Sequence, residues 1–493
     1  MRLLIGCTLR PQESVIYTRR EVLKAAAVSP IAGLLRAPAN SSASKGYPSR
    51  RPEPGRRKFV SRSVEQTVLR VKALIADPEL AWMFENCYPN TLDTTVETGF
   101  AGGAPDTFII TGDINAMWLR DSSCQVWPYV SLAKADNDLR KLFRGLIGRQ
   151  SRCILLDSYA NAFLADPRGT KPLSWAVDDV TEMRPGVAER KWEIDSLCYC
   201  IRLAHGYWQA TGDTAPFDIQ WSTAMRLVLG TFREQQRKAR QGSYHFQHKT
   251  EVPSDTQALG GYGNPARSVG LIYSMFRPSD DACVYSLFVP ANLFAVVSLR
   301  QLSEMASGIL HDDAFASECS SFAGEIEAAL EKYGKVSHPV HGEIWAYEVD
   351  GFGNSLIMDD ANIPGLLSLS YLGCCRSDDP LYRRTRAMAW STSNPYFFRG
   401  SAAEGIGGPH VGLEMIWPMS IIMRALTSND DEEIRQCLRW LKGSHAGTGF
   451  IHEAFHKDNP AQFTRSWFAW GNSLFGELIM KLSQEKPQVL RNL

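Results

Sequence analysis

From Ser61 onward, apolar and polar residues alternate with a helical period and seldom with a strand period. Between Ser63 and Ala76 the apolar positions Val64, Val68, Val71 and Ile75 fall on one face of a helix that stops at Asp77-Pro78. The same reading predicts helices over 125–134, 137–149, 151–164, 192–211, 218–240, 282–306, 312–333, 360–372, 380–391, 411–426, 430–442 and 464–483. Gly212 supplies a stop directly after Thr211. Strand-like pieces are confined to 106–110, 243–248 and 343–349. The expected fold class is all-α. Successive helices with the chemically loaded stretches held in their loops are what an α/α toroid looks like in sequence, and an irregular helical bundle shares that periodicity. No internal repeat is evident, which argues against a solenoid.

Composition narrows the function. The 493 residues carry 53 Lys+Arg and 53 Asp+Glu, so no net field steers the chain to nucleic acid or to an anionic membrane. No apolar run reaches the roughly 18 to 20 residues that a spanning helix needs. The 11 cysteines are odd in number and show no CxxC pair or zinc spacing, which favours scattered thiols over bridges or metal. Aromatic residues are plentiful, with 13 Trp, 16 Tyr and 22 Phe, and several stand beside Asp, Glu, Arg or Asn. That makes an aromatic-lined polar pocket a natural expectation.

The N-terminal stretch reads as an address. Thr18-Arg19-Arg20-Glu21-Val22-Leu23-Lys24 is a twin-arginine pattern, followed by a mild apolar run to Leu35 and the A-x-A site Ala37-Pro38-Ala39. Residues 1–39 are therefore expected to be a signal for export of the folded protein to the periplasm or beyond. Residues 40–60, rich in Ser, Pro and Arg, are expected to be a disordered linker, and 61–493 the catalytic domain.

Candidate chemistry sits in four loops, each ahead of a predicted helix. In Trp118-Leu119-Arg120-Asp121 an indole face, a guanidinium fork and a carboxylate stand together, a set suited to C–H surface and neighbouring hydroxyls of a polyol. A helix cap with a surface ion pair would use the same residues. Ser279-Asp280-Asp281 reads either as the cap of the 282–306 helix or as an acid whose like-charged neighbour helps it hold a proton. Glu453, between His452 and the phenylalanines Phe450 and Phe455, is either a surface loop acid or a base that activates water. Two carboxylates on separate loops among Trp and Arg are the minimal kit for glycosidic hydrolysis. His410 and Glu414 lie four apart as a metal pair would, but no third ligand accompanies them, and His410 more naturally lines a polar pocket. Asp178-Asp179 and Asp359-Asp360 are further acidic pairs; the latter opens the predicted 360–372 helix.

Taken together, the blocks TGDINAMWLRDSS (111–123), FRPSDDAC (276–283), MDDANIPGLLSL (358–369), GIGGPH (405–410), GFIHEAF (449–455) and FTRSWFAWGNSLFGELI (463–479) resemble glycoside hydrolase family 125. The resemblance covers about Ser61 to Leu482. It implies an (α/α)6 barrel, an inverting exo-α-1,6-mannosidase activity on a mannose-containing glycan, and no metal or other cofactor. Carried over by motif, the acid lies in the pair Asp280-Asp281, with Asp280 preferred, and the base is Glu453. Arg120 and Asp121 become contacts to the terminal sugar, joined by Trp118, His410, Trp417 and Trp470. Glu414-Met415 departs from the family pattern on the leaving-sugar side. Two other readings use the same residues: an α/α-barrel hydrolase or phosphorylase of α-glucans, and a glycan-binding protein without turnover.

Overall fold

The computed structural model describes residues 46–493; the twin-arginine stretch and the A-x-A site lie outside the described residues. The helices that matter for the site are α1 (Arg62–Lys72), α2 (Pro78–Cys87), α3 (Leu119–Val126), α4 (Asn137–Leu156), α5 (Ile194–Thr211), α6 (Ile219–Gln235), α7 (Val289–Gly308), α8 (Asp313–Tyr333), α9 (Pro380–Ala389), α10 (Pro418–Leu426), α11 (Asp431–Ser444) and α12 (Ala469–Glu485). Helices α3, α5, α7, α10 and α12 form an inner ring: α3 packs on α5, α5 on α7, α10 on α12 and α12 back on α3. The irregular segment 361–373 fills the gap between α7 and α10, tied to α5 by the Tyr199 hydroxyl, which donates to Ile363 O at 3.0 Å. Around this ring lie α4, α6, α8, α9 and α11, with α2 packed against α12 and α1 against α2. This is the expected all-α (α/α)6 barrel.

The two rings differ in how their helices begin. Outer helices are capped in the usual way: Ser61, Asp77, Asp136, Asp218, Asp312, Asp379 and Asp430 each accept from a first-turn N–H. The five labelled inner helices start after Trp118, Glu193, Phe288, Trp417 and Phe468, and none of these side chains caps its helix. Three of these starts are launched from short strands. Met117–Trp118, Leu287–Phe288 and Met415–Ile416 each belong to a small three-stranded sheet at the mouth of the barrel.

Several predicted elements shift for local physical reasons. The 282–306 helix begins only at Val289, because Pro290 sits in its first turn and the residues before it pair with Glu348–Val349. Asp280-Asp281 is thus not a helix start. The 411–426 helix likewise waits for Pro418. The predicted 151–164 helix is the tail of α4, which ends at Leu156 before the chain enters a short strand at Ala162–Phe163. Segment 360–372 forms no helix: the Asp359 carboxylate accepts from Leu366 N (2.7 Å) and Leu367 N (2.9 Å), and Pro364 has no N–H to give.

The expected linker also differs in its described part. Residues 46–60 dock on the barrel: Tyr47 packs against Trp82, and the Trp82 indole donates to Pro48 O at 2.7 Å. Arg51, its side chain only 5% exposed, donates to Asp93 at 2.8 Å and to Glu65 at 2.9 Å. An Arg-rich composition reads as solvated chain unless buried acids wait for it, and here they do.

Candidate active site

The uncapped starts of α3, α10 and α12 border a narrow well at one end of the barrel. Its wall includes Trp118, Arg120 and Asp121 from the mouth of α3, Asp280 from the 276–285 loop, His410 and Trp417 ahead of α10, and Glu453, Arg465 and Trp470 around α12. Every expected site residue except Asp281 lines this well. Its free volume is about 30 Å³.

Asp280 owes its position to a tight loop. Phe276 pairs with Ala282, Asp280 N donates to Arg277 O (2.8 Å), and Asp280 takes a left-handed φ of 65°, which a short polar side chain tolerates. A buried ion pair anchors the loop, with Arg277 Nε 2.6 Å from Glu348. The other Glu348 oxygen accepts from Val284 N and Tyr285 N. Asp280 Oδ1 accepts from Asn161 Nδ2 at 3.1 Å and lies 3.5 Å from Arg120 Nη2, while Lys191 Nζ donates to its carbonyl at 3.0 Å. Asp281 turns aside, accepting from the Ser279 hydroxyl at 3.2 Å, with its Oδ1 3.6 Å from His410 Nδ1.

Glu453 is placed by the hairpin between Phe455–His456 and Asn459–Phe463. The fully buried His452 stacks on Phe463, ring centroids 3.9 Å apart. Its Nδ1 is 2.7 Å from Arg465 O, a bond in which the imidazole donates. Burial lowers the His452 pKa to about 4, so the ring stays neutral. Arg465 in turn reaches Glu453 Oε1 at 3.5 Å with one nitrogen and pairs with Asp113 through the other.

Sequence reasoning missed the layer behind Asp280. Arg120 is 3% exposed and stands among four acids, pairing with Glu193 and lying 3.5 Å from each of Asp121, Asp195 and Asp280. Burial lowers its pKa, but these carboxylates outweigh that and leave it well above the usual guanidinium range. Arg120 is therefore first a countercharge and only then a donor to a ligand. Asn161 Nδ2 faces Glu189 (2.8 Å) and Asp280 (3.1 Å), with Glu193 at 3.5 Å. Burial first, offset by Arg120 and reinforced by Asp280 and Asp195, drives the Glu193 carboxyl well above its ordinary pKa. Burial also pushes the Asp195 carboxyl up to about 6. Five acids (Asp121, Glu189, Glu193, Asp195, Asp280) thus crowd around Arg120 and Lys191, and among them burial raises Glu193 and Asp195 above the ordinary carboxyl range.

The metal alternative finds no geometry. Glu414 turns toward Lys457 (3.3 Å) and His456 (3.5 Å), and 411–416 is not helical. His410 rests instead between Asp281 and Trp417. The loop that carries it depends on glycine: a Cβ on Gly407 would fall 2.2 Å from Met415 O, and one on Gly408 2.9 Å from Asp360 Oδ2. Among the described residues, no group of three or more His, Cys, Asp or Glu is placed to hold a metal.

An α/α barrel with paired carboxyls in an aromatic well defines a class, the glycoside hydrolases. The comparisons name the family: the model for metal-independent α-mannosidases, GH125, matches residues 77–480, and the chain belongs to that family. It is 43% identical over 461 residues to the meiotically up-regulated gene 157 protein of Schizosaccharomyces pombe, covering 90% of each chain. It also superposes with a TM-score of 0.83 and 37% identity on a Streptococcus pneumoniae metal-independent α-mannosidase solved in a non-productive complex with α-1,6-mannobiose. That match covers 87% of this chain and 100% of the other.

Proposed function

We propose that this enzyme removes a terminal, non-reducing α-1,6-linked mannose from a glycan, with inversion at the anomeric carbon. The observation that carries the reading is the meeting of Asp280 and Glu453, from loops far apart in the chain, in the wall of one narrow well with Arg120, Asp121 and the Trp residues. The pneumococcal relative's complex with α-1,6-mannobiose supports the linkage.

In this mechanism Asp280 gives its proton to the glycosidic oxygen as the bond to the anomeric carbon breaks. Glu453 takes a proton from a water that attacks the opposite face of the same carbon. Inversion places such carboxyls roughly 6.5 to 9.5 Å apart, which leaves room for that water. Arg465 orients Glu453, and the neutral His452 holds Arg465 without adding a positive charge that would weaken the base. Asp281 and His410 brace the loops on either side, and Trp118, Trp417 and Trp470 supply the apolar wall for the sugar.

Proton NMR during early hydrolysis of α-1,6-mannobiose tests the proposal. β-Mannose appears first if it is right. An α-anomer first, or turnover of maltose in preference to the mannoside, overturns it. Residues 1–39 complete the proposal as a twin-arginine export signal, tested by whether they carry a folded reporter out of the bacterial cytoplasm and whether Arg19→Lys with Arg20→Lys stops it.

A further inference from the structure

The helices α3, α10 and α12, which begin at the catalytic well, end around a second cavity. It lies past the last residues of α3 and α10, against the second half of α12 and the middle of α5, and is closed on one side by 370–378. Trp118 and Trp127 bracket α3, so the two cavities lie about 13 Å apart along the barrel axis. This cavity has a volume of about 760 Å³, within the range of ligand sites.

Its floor is built around Arg202, 8% exposed. The guanidinium carbon lies over two aromatic rings, 3.8 Å from the Trp127 centroid and 4.8 Å from that of Tyr371. It engages the Tyr371 hydroxyl and the charge of Glu477, and with five N–H donors it keeps donor capacity for a ligand in the cavity that it lines. Beside it, Glu477 is held by the Trp127 indole (3.2 Å) and the Tyr371 hydroxyl (2.9 Å), each taking one lone pair of a carboxylate that has more to offer. The cations at the rim are already matched, Arg376 with Asp378, Lys481 with Glu485 and Lys486 with Asp431. A free anion would meet Glu477 in the same wall and find no spare rim charge. A ligand that both accepts from a guanidinium and donates to a carboxylate meets no such conflict, and vicinal hydroxyls do both.

We propose that this cavity is a second, non-catalytic carbohydrate site that seats a mannose unit between Arg202 and Glu477. The choice of mannose rests on the substrate reading above; the site itself does not. It would tether a branched substrate to the face of the barrel remote from hydrolysis.

The test uses the Glu453→Gln full chain, to prevent turnover, and follows indole N–H resonances as α-1,6-mannobiose is added. Trp127 reports on this cavity, and Trp118, Trp417 and Trp470 on the catalytic well. The expected result is a saturable shift of Trp127 that Arg202→Gln abolishes. If that variant does not fold, Arg202→Lys keeps the charge, loses the planar fork and weakens the shift by about tenfold in affinity. Movement of the catalytic-well indoles with Trp127 unmoved overturns the site and leaves the substrate reading intact. Movement of Trp127 alone supports the site and counts against the catalytic assignment. A Trp127 shift with inorganic phosphate but not with mannobiose overturns it in favour of an anion site.

Discussion

At the scale of single residues, Asp280 and Asp281 are neighbours in sequence with different surroundings. Asp280 lines the well beside Asn161 and Arg120, whereas Asp281 is held by Ser279 and His410. Asp280→Asn should cost about 10³-fold in kcat on α-1,6-mannobiose, in line with loss of a general acid, but far less on a 2,4-dinitrophenyl α-mannoside, whose leaving group needs no proton. Asp281→Asn should slow both substrates alike, because it acts through loop position. Steady-state rates on the two substrates separate the roles. This difference was not legible in the sequence. The motif identified both acids, but which one faces the well depends on one left-handed φ at Asp280. Glu453 was legible because His452 and the adjacent phenylalanines flagged a buried setting. Glu193 was not, since an acid at a helix start looks like any cap, and its partner Asn161 carries no local signal at all.

At the scale of elements, the start of α5 and the loop bearing Asp280 are coupled through carboxyls rather than through apolar packing. Glu193, its carboxyl raised by burial, and Asp280 both face Asn161, with Asp195, Arg120, Glu189 and Lys191 as their charged surroundings. Removing one like-charged member makes it easier for the cluster to lose its remaining proton. Glu193→Gln should therefore move the alkaline limb of the kcat/KM profile to lower pH by about one unit. A kcat/KM profile that drops uniformly at every pH, with its limb unmoved, would reduce Glu193 to packing. Helix periodicity located most of the barrel helices but not their starts, which prolines and strand pairing set at Val289 and Pro418. It failed outright at 360–372, where Asp359 captures the N–H groups that a helix would use.

At the scale of the whole molecule, residues 46–60 act as a strap rather than a tether. Arg51→Ala leaves Asp93 buried beside Glu65, with Arg57 at 3.7 Å as its remaining cation. It should lower stability by about 3 kcal/mol in denaturant unfolding while leaving kcat unchanged. Stability should also respond to pH from both directions. Burial pushes the Asp359 carboxyl up to about 7, so the folded chain keeps a proton that the unfolded chain releases near 4. Stability from that group is complete below about pH 4 and is lost as pH rises to about 7, by up to about 4 kcal/mol. His452 works the other way, since its pKa is lowered to about 4: its contribution is full above about pH 6.5 and is lost as pH falls through 4. Thermal midpoints from pH 3 to 8 should show both limbs, and Asp359→Asn should flatten the upper one.

The asymmetry between capped outer helices and bare inner ones bears on how the enzyme balances its charge. The bare starts of α3, α10 and α12 each bring about half a positive charge to the rim of the well, set by backbone geometry and effective over the first turn. A divalent ion doing the same work has to be captured, is open to chelators and can be replaced by a competitor. Peptide dipoles cannot be stripped out or exchanged, so this barrel holds its crowd of carboxyls together in metal-rich and metal-starved surroundings alike.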